Sequence, residues 1–287
     1  MIFVFLSVIC SVLVAICIKW AKGRGINHLQ LVLWNYPIAL LMTWVFLNPG
    51  PVRWDNPILP WNLYLPLGIL LPALFLIIAL SIEYSGIVKT EVAQRLSLFI
   101  PLTAAFLLFG ERIESGKITG LAVGVIAIIC SIGWSKGGEK SGKPTSSIIY
   151  PAIVFIGMGC IDVLFKQVAQ HKEIPYTASM LIIFALALLV ACGCLFYLLF
   201  WKKQKFDIQS MFGGLVLGVF NFGNIMFYMK AHRAIPENPS IVFTSMNIGV
   251  IAFGALAGIF LFKEKLSILN KAGLGLAVIS VLLIAYL

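Results

Sequence analysis

The sequence predicts an all-α integral membrane protein with ten transmembrane helices, arranged as two inverted five-helix repeats. Three observations support this. The 287 residues are 61% hydrophobic and only 11% charged, whereas soluble domains carry about 25% charged residues. The mean hydropathy is +1.02. Charges and Pro/Gly clusters divide the chain into ten apolar segments, and parts of the two halves repeat each other.

Each apolar segment approaches the roughly 20 residues that a helix needs to cross a bilayer. Unpaired backbone groups find no water in lipid, so each segment is expected to be helical. The first segment has no basic region before it, so we interpret it as a span rather than a signal peptide. The segments are 2–19, 29–47, 63–82, 86–109, 116–134, 148–169, 176–200, 209–230, 238–261 and 268–287.

Aromatic and proline residues fit these segments. Trp20, Trp134 and Trp201 lie near segment ends, where amphipathic rings favour the membrane interface. Pro72 and Pro101 lie inside apolar segments. Because proline cannot donate a backbone hydrogen bond, both residues predict helix kinks.

The most polar run, residues 135–147, separates the two predicted repeats, 1–134 and 148–287. LFGERIESGKITG from Leu108 aligns without a gap with LFKEKLSILNKAG from Leu261. Five spans per half is an odd number, so the second half would enter the membrane in the opposite orientation. Inverted repeats around a central site are a known plan of secondary transporters.

The sequence argues against an enzyme or a cofactor site. The linker motif GGEKSGK resembles a phosphate-binding loop, but Pro144 stands where magnesium binding needs Ser or Thr. His28, His171 and His232 are separated by long apolar runs, and the six cysteines lack metal-ligand spacing. We therefore expect no catalytic residue, no metal and no cofactor.

Short motifs recur in the two halves: Pro101, the FGER of Phe109–Arg112, Gly120, the FKEK that begins at Phe262, Gly273, and the span-closing Lys19 and Lys166. With them the chain resembles the drug/metabolite transporter superfamily, in its ten-helix EamA-type branch. The resemblance implies that spans one to four and six to nine surround a central cavity, with spans five and ten at the periphery. The chain departs from the family at the charged start of span four and at Asp162 in span six.

The start of span four carries a polar stripe. On a helix, Glu91, Gln94 and Arg95 fall on one face, and Glu91 and Arg95 are spaced to pair. A charge at the bilayer centre costs about 2.5–3.5 kcal/mol, so such residues face protein or water. We interpret the stripe as cavity lining; the alternative is an interfacial ion pair.

Asp162 and Lys166 share one helix face in span six. Asp162 is interpreted as a functional acid, with a structural ion pair to Lys166 as the alternative. Glu91 and Asp162 are the two candidates for proton coupling. Which of them acts, and whether protons drive the protein, is open at this point.

Span eight places Asn221, Asn224 and Tyr228 on one stripe, for either helix packing or substrate contact. Asn247 in span nine aligns with Gln94 in the register of the repeats. The predicted substrate cavity comprises Lys19, Glu91, Gln94, Arg95, Asp162, Lys166, Asn221, Asn224, Tyr228 and Asn247. More of its charges are cationic than acidic, which favours an anionic or zwitterionic solute.

Small residues at four-residue spacing predict close helix packing in spans five and ten. They are Gly116, Gly120, Gly124, Gly273 and Ala277. Glu111 and Glu264 each follow a span directly and are expected to cap loops or to gate the cavity.

The predicted function is secondary transport of a small metabolite, an amino acid or related polar or amphipathic solute, or of a drug, by alternating access. The alternative is a flippase or carrier for a lipid-linked or nucleotide-linked sugar. Expected partners are the small-molecule substrate and membrane lipids, whose anionic headgroups match the net charge of +10. No nucleic acid is expected, and a homodimer is left open.

The expected location is the plasma (inner) membrane. The distribution of Lys and Arg among the loops favours both termini outside. The family resemblance implies cytoplasmic termini, and we follow the resemblance.

Overall fold

The structure, a computed structural model, describes residues 1–50, 59–85, 87–111, 115–131, 146–262 and 268–286. These residues form helices joined by short turns, and no strand occurs among them. The predicted all-α fold is therefore confirmed. The α-helices are α1 (Ile2–Gly23), α2 (His28–Leu33), α3 (Asn35–Leu47), α4 (Trp61–Ser85), α5 (Ile87–Leu96), α6 (Phe99–Leu107), α7 (Ser115–Ser131), α8 (Ser146–Gln170), α9 (Tyr176–Phe196), α10 (Ile208–Ala234), α11 (Pro239–Phe262) and α12 (Ile268–Tyr286), and a π-helical segment (Tyr197–Trp201) continues α9.

Seven stretches of the described residues are long and apolar enough to cross a membrane. They are Ile2–Ala21, Leu29–Leu47, Trp61–Ile78, Ile148–Gln170, Tyr176–Trp201, Ile208–Ala234 and Pro239–Leu261. Ala93–Leu107 and Ile118–Ala127 are shorter apolar stretches. The chain is a multi-pass membrane protein, and the count of ten crossings stays a prediction.

The turn between α1 and α2 is set by Gly25 and Asn27. Gly25 has φ +72, a left-handed conformation that favours glycine. It lets the N–H of Ile26 return to the carbonyl of Ala21, which closes α1. The side chain of Asn27 accepts from two backbone N–H groups at the start of α2.

The predicted single helix 86–109 is two helices, α5 and α6, with a turn at Ser97 and Leu98. Pro101 has no N–H to donate to Ser97 four residues earlier, and its ring crowds that carbonyl. The Ser97 carbonyl instead accepts from Ile100, three residues on. The kink predicted at Pro101 is confirmed as a break. α4 continues through its own Pro72.

The helices pack as two groups. α1 packs against α10 and α11, which we call the first group, and α8 packs against α4, α5 and α6, which we call the second group. α2 and α3 lie against α10, whereas α9 lies against α4 and α3. α7 and α12 pack mainly against each other. The two groups meet where α8 contacts α10 and where α6 contacts α11.

Glycines allow the closest helix contacts. A Cβ atom at Gly218 of α10 would overlap the side chain of Ile38 and the carbonyl oxygen of Asn35. At Gly214, one turn earlier, it would overlap the carbonyl oxygen of Leu31. α10 therefore lies with its backbone directly against α2 and α3.

Candidate functional site

The candidate site lies where α8 meets α10. Asp162 and Lys166 are one turn apart on α8, and Tyr228 and His232 are one turn apart on α10. The Tyr228 hydroxyl donates to Oδ1 of Asp162 at 2.9 Å. Asp162 and Tyr228, together with Lys166, are thus three predicted cavity residues that the structure brings together.

Lys166 is fully buried, with 0% exposure. Its ammonium donates to the carbonyl oxygen of Pro236 at 2.9 Å and lies 5.7 Å from the ring centre of Phe109. The side-chain amide of Gln170 donates to the same Pro236 oxygen at 2.8 Å. Lys166 therefore holds the turn between α10 and α11 instead of pairing with Asp162, so the alternative of an Asp162–Lys166 ion pair is not what the geometry favours.

Glu111, in the turn after α6, caps the start of α11. Its carboxylate accepts from the backbone N–H of Ser240 at 2.9 Å and from the Ser240 hydroxyl. The first N–H groups of a helix lack partners within the helix, and its dipole favours a negative charge there. Glu111 also lies within electrostatic reach of Lys166, so the buried cation has an acid nearby.

We call the following residues the seam cluster, because their hydrogen bonds join the two helix groups: Glu111, Asp162, Lys166, Gln170, Tyr228, Pro236 and Ser240. Glu111, Lys166, Gln170, Pro236 and Ser240 lie within about one turn of the C-terminal ends of α6, α8 and α10 or of the N-terminal end of α11, and Asp162 and Tyr228 lie about two turns inside α8 and α10. We call the boundary between the two helix groups the seam. One end of the seam is thereby closed by polar contacts.

His232 lies beside the seam cluster and is fully buried. Its ring packs edge-on to Tyr228, with centroids 4.6 Å apart, and against Phe243 at 4.7 Å. Neither ring nitrogen has a hydrogen-bond partner among the described residues. The cation Lys166 is close enough to act on it electrostatically.

The break between α5 and α6 also borders α8. The Ile100 side chain fills the space above Gly159, where a Cβ atom would be too close. Asp162 follows Gly159 by three residues and so shares its helix face. Ile100, three residues after the irregular backbone at Ser97, therefore contacts α8 about one turn before Asp162.

The predicted stripe on α10 contacts three different helices. Asn221 donates to Oδ1 of Asn35 on α3 at 2.8 Å. The Ser7 hydroxyl on α1 donates to Oδ1 of Asn224, also at 2.8 Å. The Tyr228 hydroxyl donates to Asp162 on α8. For Asn221 and Asn224 these bonds favour the helix-packing alternative.

The other predicted cavity residues lie apart from the seam cluster. Gln94 and Arg95 are half-buried near the end of α5, and Lys19 is exposed near the end of α1. The Asn247 amide donates to a carbonyl of its own helix at 3.1 Å. The side chain of Glu91 lies outside the residues whose surroundings are described.

In the region of the predicted glycine stripe, the Ser280 hydroxyl of α12 donates to the carbonyl oxygen of Gly120 on α7 at 2.7 Å. At Gly124 a Cβ atom would come within 2.7 Å of the same hydroxyl. Gly273 is buried. The surroundings of Gly116 and Ala277 are not among those described.

Sequence reasoning missed His232 and the role of the Pro236 carbonyl. The available signal for His232 was its position four residues after Tyr228, which places both on one face. Pro236 acts through its backbone, which no side-chain pattern reveals. Glu111 was expected to cap a loop or gate the cavity, and its contacts fit both roles.

At the other end of α10, α2 and α10 are joined by shared caps. Asp207 caps α10 and also accepts from the backbone N–H of Asn27 at 3.1 Å, while Gln30 accepts from the Asp207 N–H at 3.0 Å. The Ser210 hydroxyl donates to Asp207 at 2.5 Å. This bond, followed by those from the backbone of Asn27 and Gln209, lowers the pKa of the Asp207 carboxyl below its ordinary value.

Comparison with known proteins adds three findings. Residues 1–133 match the model of the EamA-like transporter family. An uncharacterised protein of Haemophilus influenzae is 38% identical over 286 residues, covering 98% of this chain and 96% of the relative. One crystal structure is similar with a TM-score of 0.74 and 14% identity, over 99% of this chain and 97% of that one; this likeness concerns the fold.

Proposed function

Because this chain belongs to the EamA-like transporter family, we propose that it is a secondary transporter that carries a small polar or amphipathic metabolite, such as an amino acid, by alternating access. The packing of the two helix groups supports this. Each group takes helices from residues 1–134 and from residues 148–287. Such mixing is expected of inverted repeats that enclose a site between them.

The observation that carries the proposal is the one-sided closure of the seam. Tyr228 to Asp162, Lys166 to Pro236 and Ser240 to Glu111 all join one group to the other at the same end. The repeat relation equates α8 and α10 with α1 and α4, which make little contact with each other in the described part of the chain. This asymmetry fits one of the two states of an alternating-access cycle.

The seam is weak enough to open. A hydrogen bond to a charged group contributes about 1.5–3 kcal/mol, and a neutral one about 0.5–1.5 kcal/mol. Water would replace part of each bond when the groups separate. The closed and open states therefore differ by a few kcal/mol, which is a difference that a bound ligand is able to overcome.

Proton coupling is part of the proposal, with Asp162 and Glu91 as the candidate carriers. Ionisable residues inside membrane proteins commonly serve proton relays. In proteoliposomes, a pH gradient should drive uptake. Asp162→Asn and Glu91→Gln should show which acid matters, and uptake that ignores the gradient would reject coupling.

The alternative function, carrying a lipid-linked sugar, also has an observation in its favour. An apolar groove of about 250 Å³ lies between α1 and α11, where a lipid tail would fit. It is lined by Ile9, Val12, Leu13, Phe253, Leu256, Ala257 and Phe260. Carrying a lipid-linked sugar does not require the buried polar contacts of the seam cluster, so we rank this function second.

If the chain crosses the membrane ten times, the seam cluster lies on the same side of the membrane as both chain termini. With cytoplasmic termini, as proposed, the structure corresponds to a state closed toward the cytoplasm. Labelling of a C-terminal tag in intact and in permeabilised cells tests this orientation.

Cross-linking across the seam tests alternating access. In a background without the six native cysteines, cysteines replace Gln170 and Pro236 and are joined by a short, reducible thiol cross-linker. Uptake of labelled amino acids into proteoliposomes should stop on cross-linking and return on reduction, because the closed end can no longer open.

The matched control joins two residues within the second group. Cysteines at Tyr84 of α4 and Tyr150 of α8 replace a ring contact, with centroids 5.4 Å apart, that the cycle does not need to break. The same cross-linker should leave uptake nearly unchanged there. Equal arrest by both cross-links, or uptake with the Gln170–Pro236 link in place, would contradict the proposed cycle.

A further inference from the structure

The inference concerns the charge of the transported solute and rests on the proposed function. Asp162 and Lys166 are neighbours on α8, but their charges are balanced differently. Lys166 is fully buried, its ammonium bonds the Pro236 carbonyl, and Glu111 lies nearby. Asp162 has only the neutral hydroxyl of Tyr228 as a partner among the described residues, and no cationic side chain acts on it there.

The second oxygen of Asp162 has no hydrogen-bond donor among the described residues. Oδ1 accepts from Tyr228, whereas Oδ2 accepts no hydrogen bond from the residues that the structure describes. Asp162 as a whole is half-buried, so its side chain is not completely enclosed by the described residues.

Asp162 is also deep in the protein. It lies eight residues before the end of the 25-residue helix α8, about 12 Å along the axis. A carboxylate at such depth is unfavourable unless a cation or hydrogen bonds compensate it. One hydroxyl leaves most of that requirement unmet.

We infer that Oδ2 of Asp162, with Oδ1 held by Tyr228, binds the ammonium group of the transported solute. The ligand class is therefore a small organic amine or a zwitterion that carries an ammonium group. An ammonium group supplies both the missing positive charge and up to three N–H donors. Lys166 does not offer an equivalent anion site, because it is fully buried and already bonded.

The geometry assigns Tyr228 a positioning role. Its hydroxyl fixes one carboxylate oxygen, and its ring packs at 88° against Phe165 with centroids 6.4 Å apart. The carboxylate thus has a defined orientation before the solute arrives. Such preorganisation lowers the entropy lost on binding.

Matched pairs of small molecules test the inference on the purified full-length protein. Phenethylamine and phenylacetate have similar size and opposite charge at pH 7, as have butylamine and butyrate. Thermal unfolding is followed with each compound. The two amines should raise the melting temperature, by about 5 °C at a hundredfold excess over Kd, and the two acids should not.

Asp162→Asn, which keeps the shape and removes the charge, should abolish the response to both amines. Glu237→Gln is the control, since Glu237 is an exposed acid in the turn after α10. It should respond as the original protein does. Tyr228→Phe should weaken amine binding without reversing the preference for amines.

Three results would overturn the inference: equal stabilisation by acids and amines, an unchanged amine response in Asp162→Asn, or no response to amines at all. If no amine raises the melting temperature, and if Asp162→Asn removes the pH dependence of that temperature, then the Asp162 carboxyl group binds a proton and no solute. The proposed function is judged separately, by uptake into proteoliposomes. Amines that bind but are not transported would reject transport and leave the binding site intact.

Discussion

Replacing Glu111 by Gln should open the closed end of the seam. The Glu111 side chain is 5% exposed and bonds both the N–H and the hydroxyl of Ser240. Gln keeps an acceptor oxygen but removes the charge, so each of the two bonds falls from the charged to the neutral class, a combined loss of about 2.5 kcal/mol. Since 1.4 kcal/mol is about a factor of ten, the ratio of open to closed molecules should rise roughly 60-fold.

Distances between spin labels measure this ratio directly. Lys172 and Glu237 are exposed in the turns that follow α8 and α10, on opposite sides of the seam. Cysteines at these two positions, in a background without the native cysteines, carry the labels. Pulsed electron paramagnetic resonance on the protein in nanodiscs should show a longer distance gaining population in Glu111→Gln.

Two further variants control this experiment. Glu173→Gln removes an exposed acid near the same end and should leave the distances unchanged. Ser240→Ala removes one of the two donors to Glu111, and because contacting residues couple by about 0.5–3 kcal/mol, the double variant should open less than the sum of the single variants. Unchanged distances in Glu111→Gln, or strict additivity with Ser240→Ala, would refute the reasoning.

Three more predictions concern stability. Gly218→Ala should abolish the monodisperse peak in size-exclusion chromatography, because its Cβ would overlap an adjacent backbone, whereas Gly254→Ala has open space and should change stability by less than about 1 kcal/mol. Asn221→Ala should lower the melting temperature by about 2–4 °C, because it leaves a buried acceptor on α3 unpaired; Asn247→Ala, whose bond is within its own helix, should lower it less. Asp207→Asn should flatten the pH dependence of the melting temperature. The folded-state pKa of Asp207 is lowered, so its contribution is present above the unfolded pKa of about 3.9 and is lost as pH falls through the folded value; equal acid sensitivity of both proteins would contradict this.

The helices and one of their breaks were predictable from the sequence. Bilayer thickness fixes the length of an apolar run, so the runs themselves mark the helices. The break at Ser97 follows from Pro101, because a proline disturbs the carbonyl four residues before it. Both arguments are local, and they need no knowledge of the neighbouring helices.

The partners of the polar side chains were not predictable. Asn221, Asn224 and Tyr228 share one stripe, yet each bonds a different helix. Which helix lies opposite a given turn depends on the packing of the whole chain. Spacing therefore identified the stripe but not its division into two packing contacts and one site contact.

The pairing of charges was also beyond the sequence. Asp162 and Lys166 have the spacing of a helical ion pair, but a turn from another helix brings the Pro236 carbonyl to Lys166. Glu111, 51 positions before Asp162 in the sequence, comes close to the same lysine. Contacts made by backbone carbonyls and by distant turns cannot be recognised from the spacing of residues in the sequence.

The way in which α10 is fastened has a mechanical consequence. Its first residues are tied to Asn27 through Asp207, and its middle is bonded by Asn35 and Ser7. Its 27 residues make it about 40 Å long, so a tilt of about 10° around the fastened start would carry the last turn some 7 Å sideways. The helix would then act as a lever that pivots at its junction with α2. A small movement near the bound solute would thereby open a passage at the C-terminal end of α10.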